Sequence, residues 1–137
     1  MQCSNRMGLM HLTNSLEIII WGRSFTLPVE YDCYEDEVVT EEQIQAFNTF
    51  KSHTKWIDKS KRVIEDYCRQ EVLDDDENNK KDNIFSYIIP ECIFIKHDAI
   101  NPRVALMCKY RYDLEHGLAV VFSHDGKITV GEQDIIL

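Results

Sequence analysis

The chain is short of basic residues. Fifteen Lys and Arg stand against 24 Asp and Glu, giving a net charge of −9 and an isoelectric point near 4.9. An acidic field of this kind repels phosphate, which argues against direct nucleic-acid binding through a basic groove. Also missing is any apolar run of the roughly 20 residues needed to cross a bilayer. The early run Leu16-Glu17-Ile18-Ile19-Ile20-Trp21 is too short and carries Glu17. No small-residue cleavage site follows it, so neither a secretory signal nor a membrane anchor is expected. The five cysteines, Cys3, Cys33, Cys68, Cys92 and Cys108, contain no Cys-x-x-Cys pair. Their odd number and scattered spacing signal neither a disulfide framework nor a zinc site, and predict thiols in a reducing, cytoplasmic setting. There is no Gly-rich phosphate loop, no Gly-x-Ser-x-Gly, no His-Glu-x-x-His and no kinase signature. Motifs therefore assign no catalytic residue, no metal ligand set and no cofactor.

What remains is 137 residues with 44% hydrophobic content, enough for one domain with a core of its own. Residues 1–14 are expected to form a flexible arm, with Met7 and Met10 as alternative starts, and residues 15–137 a single domain. Residues 16–21 are rich in β-branched side chains and predict a strand. Residues 24–31 alternate Phe25, Leu27, Val29 and Tyr31 with Ser24, Thr26 and Glu30, a half-buried strand. The intervening Gly22-Arg23 suits a tight hairpin, and Pro28 must face an edge or a bulge.

Thr40 and Gln43 have the spacing of a capping box, with Glu41 and Glu42 favoured by the dipole of the helix they begin. Ile44, Phe47 and Phe50 give that helix an apolar face. After a break at His53-Thr54, a second helix carries Trp56, Ile57, Val63, Ile64, Tyr67, Cys68 and Val72. Residues 74–83 contain no apolar side chain and predict a solvated loop. Strands follow at 91–96, buried on both faces, at 103–112 and at 117–123. Asp125-Gly126 then marks a hairpin into residues 128–130. The apolar tail 134–137 must dock somewhere. The segregation of two strands, two helices and a run of strands predicts an α+β fold. Its antiparallel sheet has about five or six strands, with both helices inserted after the first hairpin and packed on one face.

Four groups of residues invite a functional reading. Asp113-Leu114-Glu115-His116-Gly117 offers two carboxylates and an imidazole, which can bind a metal or exchange protons. It also lies between two strands, where polar residues and a glycine are what a turn needs. His97-Asp98 is a second such pair at another strand end. Trp21-Gly22-Arg23 is either an exposed anchor or, more simply, a core residue followed by a turn. The acidic residues Glu35, Asp36, Glu37, Glu41 and Glu42, with Asp74, Asp75, Asp76 and Glu77, suit a basic partner, beside the plainer account of a solvated face.

A resemblance rests on two of these groups. Trp21-Gly22-Arg23-Ser24-Phe25-Thr26-Leu27, together with residues 108–122 around Asp113-Leu114-Glu115-His116-Gly117, then Asp125-Gly126-Lys127 and the ending Gly131-Glu132-Gln133-Asp134-Ile135-Ile136-Leu137, resembles an uncharacterised bacterial domain family. That family pairs a Trp-Gly-Arg strand with an Asp-x-Glu-His-Gly ending. The likeness covers the first strands and the last third, not the helices. Domains similar to it occur beside polymorphic toxin and contact-dependent inhibition systems, whose immunity proteins are small, acidic and cytoplasmic. The resemblance carries over no catalytic residue. It implies an immunity-type inhibitor that neutralises a basic toxin domain, such as a nuclease, by protein–protein contact without a cofactor. The alternative, from the residues alone, is a small hydrolase or metal-dependent enzyme using Asp113, Glu115 and His116, with His97 and Asp98 in support.

Overall fold

The computed structural model describes residues 15–33, 36–71 and 84–137, with the backbone alone at 70 and 71. Strands β1 (Ser15–Ile20) and β2 (Arg23–Tyr31) form an antiparallel hairpin with Ile20 opposite Arg23. Its turn is Trp21-Gly22, one residue earlier than the sequence suggests, with φ of 51° and 87°. Two positive φ values give the mirror-image turn whose twist matches that of the strands. Glycine takes it freely, whereas a side chain there costs about 1–2 kcal/mol. Trp21 is held in place by burial, by ring contact with Phe85 at 5.0 Å, and by donation from Nε1 to Ser60 Oγ at 3.1 Å. Pro28 sits at the last pair with β1, one residue before pairing with the next strand begins, so its missing N–H spoils no interior rung.

Helix α1 (Glu41–Ser52) starts with the expected capping box, Thr40 and Gln43 each accepting from the other's backbone N–H. The helix is turned from its expected orientation. Ile44 is 43% exposed, and Gln43 is buried beside Phe47 and Phe50. Burial of this amide is tolerated because both ends are used. Its oxygen serves the cap, and its nitrogen donates to Asp32 O and Ile95 O at 3.1 Å each. Helix α2 (Lys55–Glu71) buries Trp56, Ile57, Ser60, Ile64 and Cys68 along one face.

A short 3-10 turn, Ile84–Tyr87, leads into β3 (Ile88–Ile95). Strand β3 lies parallel to β2, with Val29 opposite Ile93. The sheet is therefore mostly, not wholly, antiparallel. Two helices between the strands return the chain to the same end of the sheet, which is what a parallel neighbour requires. Strands β4 (Val104–Tyr110), β5 (Leu118–Phe122) and β6 (Ile128–Gly131) complete a six-stranded sheet in sequential order, each antiparallel to the one before.

Over β3 to β5 both sheet faces are buried. One packs Ile20, Leu106, Val120 and Phe122 against the helices. The other gathers Cys92, Phe94, Ala105, Met107, Ala119 and Val121 with Ile136 from the C-terminal tail. The continuous apolar runs of β3 to β5 are explained by this double burial. The tail docks as its composition demands, and Lys96 Nζ donates to Leu137 O at 3.2 Å.

Cys33, Cys68 and Cys108 remain thiols. Among the described residues, no helix is long and apolar enough to cross a membrane. The arm 1–14 and the acidic segment 74–83 lie outside the described residues.

Candidate functional site

The β4–β5 connection is a compact turn. Asp113 N donates to Tyr110 O at 3.0 Å and Gly117 N to Asp113 O at 2.8 Å. The Asp113 carboxylate accepts from His116 N at 3.2 Å, and its two oxygens lie 3.0 and 3.2 Å from His116 Nδ1. The β5–β6 hairpin then brings the C-terminal segment alongside. Gln133 N donates to His116 O, and Gln133 Nε2 to Cys108 O, both at 3.0 Å. These bonds set Glu132 Oε2 3.8 Å from His116 Nδ1. Asp113, His116 and Glu132 thus hold one donor atom each within 4.8 Å of one another. The hydrogen bond to Asp113 raises the His116 pKa above its ordinary value, and the charges of Asp113 and Glu132 add to the rise.

Glu115 is outside this trio and acts on His116 only as a weaker charge. It lines a shallow cavity of about 200 Å3 with Glu91, Lys109, Leu114 and Gln133. Gly117 closes the turn at φ 65°, where a Cβ would lie 2.5 Å from Gln133 Nε2 and 2.9 Å from Cys108 O. Sequence reasoning missed Glu132. Continuing the register past Ala119 opposite Gly131 sets Leu118 opposite Glu132 and Gly117 opposite Gln133, so the hairpin itself carried the signal.

His97 and Asp98 do not join this group. They follow β3, at the start of β4, whereas the Asp113 turn follows its end. Seven residues of strand separate the two by about 20 Å, so the five-residue constellation considered for an enzyme is not assembled.

The His97 end is the acidic one. Asp32 is buried there, accepting from His97 N at 3.2 Å and lying 3.8 Å from Lys96 Nζ. Gln43 ties the same corner to the start of α1. Glu37 Oε2 lies 3.8 Å from His97 Nδ1, and Asp36, Glu41 and Glu42 are exposed around it. Along the same segment Val38 is 74% and Ile44 43% exposed, and Ile100, in the loop after His97, is 73% exposed. Glu30 and Asp32, within the same acidic run, are buried and unavailable to a partner. Glu35 and Asp74, Asp75, Asp76 and Glu77 lie outside the described residues.

Trp21-Gly22-Arg23 is a clamp. Trp21 fastens the hairpin to α2 through Ser60, while Arg23 Nη2 donates to Phe85 O at 2.9 Å and to Ile88 O at 3.3 Å. The guanidinium also lies over the Phe25 ring, 5.3 Å from its centroid. Burial rules out Trp21 as an exposed anchor. Cys108 is no better as a nucleophile, because burial, with help from Glu91, pushes its thiol far above the ordinary range.

No curated protein and no solved structure matches the chain. A family model described as a domain of unknown function, DUF6985, matches residues 10–137. That span takes in the Trp21 clamp, both helices and the Asp113–Gly117 turn with its Glu132-Gln133 partner, so the chain belongs to the DUF6985 family.

Proposed function

We propose that this chain is a binding protein that captures a basic protein partner at the α1 corner, acting as an immunity-type inhibitor of a toxin domain. The observation that carries the reading is the run of exposed Asp36, Glu41 and Glu42 and half-buried Glu37 along the chain with exposed Val38 and Ile44, beside exposed Ile100 in the loop after His97. Each exposed charge pair contributes only about 0.2–1 kcal/mol, and salt screens it beyond about 8 Å. The acids therefore act mainly on approach and orientation. Affinity needs desolvated apolar contact, and burying one aliphatic side chain of this size contributes about 1.5–3 kcal/mol. The corner supplies both, on a base made rigid by Gln43 and Asp32. A nuclease toxin fits such a surface because it must itself be basic to hold phosphate. The family resemblance and the net charge of −9 support the same reading.

The test is paired capture. The wild-type chain and an Asp36→Lys/Glu37→Lys/Glu41→Gln/Glu42→Gln variant are immobilised and exposed to extract of the native host. Removing Glu41 and Glu42 from the first helical turn costs about 0.3–1 kcal/mol each, so circular dichroism checks that the variant is folded. The expected result is one basic protein retained by the wild type, lost by the variant, and inhibited in its own activity by the wild-type chain. Identical captures by both chains, or a captured protein whose activity is untouched, contradict the proposal.

A further inference from the structure

We propose that Asp113, His116 and Glu132 form a binding site for a divalent transition-metal cation that ties the β4–β5 turn to the C-terminal segment. The proposal concerns the end of the sheet opposite the acidic corner and stands whether or not a partner binds there. It starts from an imbalance. Two carboxylates converge on one ring nitrogen, His116 Nδ1. A single N–H can serve one of them well. Asp113 Oδ1, at 3.0 Å, takes that place, and Glu132 Oε2, at 3.8 Å, is beyond hydrogen-bond reach. A cation with several coordination positions satisfies both carboxylates and the imidazole at once.

The donor set and its dimensions fit. One imidazole nitrogen with two carboxylate oxygens suits zinc and its neighbours in the first transition row. Donors about 2.1 Å from a tetrahedral ion lie about 3.4 Å apart. The observed separations from Nδ1, 3.0, 3.2 and 3.8 Å, bracket that value, so small side-chain shifts complete the site. The supports are largely main-chain. His116 N orients the Asp113 carboxylate, Gly117 N closes the turn on Asp113 O, and Gln133 N on His116 O fixes the residue next to Glu132. Three protein donors leave coordination positions for water or a ligand. His116 and Glu132 side chains are 48% and 42% exposed, so solvent reaches the site.

The test is calorimetric titration of EDTA-treated, dialysed protein with zinc chloride. The expected result is one zinc per chain at this site, with affinity at least about tenfold weaker in Glu132→Gln and in His116→Gln and unchanged in Glu115→Gln. Glu132 is the decisive position, because its removal leaves the Asp113–His116 turn intact. In the wild type, zinc should also shift the His116 Nδ1 resonance. No zinc binding, binding of equal strength in Glu132→Gln, or binding abolished only by thiol alkylation overturns the proposal.

Discussion

Replacing Gly117 by alanine separates two ways in which a glycine can matter. At φ 65° an alanine carries a left-handed backbone cost of about 1–2 kcal/mol. Its Cβ would also lie 2.5 Å from Gln133 Nε2, 2.8 Å from Gln133 Cδ and 2.9 Å from Cys108 O. The glutamine can swing away, losing its bond to Cys108 O, a net loss of about 0.5–1.5 kcal/mol. The Cys108 carbonyl belongs to β4 and cannot, so an overpacking cost of about 1–3 kcal/mol remains. The total is about 2.5–6.5 kcal/mol. Gly22→Ala is the control, because nothing lies within 4 Å of its Cβ position and only the backbone cost of about 1–2 kcal/mol applies. Urea unfolding midpoints at constant m-value measure both. Gln133→Ala alone should cost about 1 kcal/mol. Combined with Gly117→Ala it should cost less than the sum, since the side-chain clash is then gone. If Gly117→Ala is no more damaging than Gly22→Ala, the packed-turn account is wrong.

Ser60→Ala strands the buried Trp21 Nε1 without its acceptor and should destabilise by about 1–3 kcal/mol in the same assay; no change would show that the clamp is not held there. In protein without added metal, His116 should keep its proton above the ordinary pKa of about 6.5. Because its folded value is raised, its stabilising contribution is full below the unfolded value and is lost as pH rises through the folded one. Asp113→Asn should lower the His116 midpoint in an NMR titration, and an unmoved midpoint would contradict the assigned cause. Cys108 should resist iodoacetamide in native protein and react only after unfolding, as peptide mass mapping would show.

The parts of the fold readable in the sequence are those fixed by neighbours in the chain. Thr40 and Gln43 are three residues apart, and their capping box forms as the spacing requires. The Asp125-Gly126 hairpin and the double burial of β3 follow from local pattern in the same way. Gln43 defeated the reading because its burial depends on carbonyls of Asp32 and Ile95, brought beside it by the crossover. Parallel pairing of β2 with β3 was hidden for the same reason, since no local residue pattern encodes a partner beyond two helices. At the candidate sites, Asp113 and His116 were readable as one turn. Their association with Glu132, and the separation from His97, needed the strand order and register. The acidic run looked uniform in sequence. In the fold Glu30 and Asp32 are buried, Glu37 is half-buried, and Asp36, Glu41 and Glu42 are exposed.

Stopped-flow association of the captured basic partner, measured as salt is raised, tests the acidic-corner mechanism most directly. Steering by a complementary field speeds association by about 10- to 1,000-fold and falls steeply with ionic strength. The wild-type on-rate should therefore drop with salt while the off-rate changes little. The variant altered at Asp36, Glu37, Glu41 and Glu42 should start slow and show a much flatter salt dependence. An on-rate that ignores both salt and these four substitutions would contradict the claim that this corner is the binding surface.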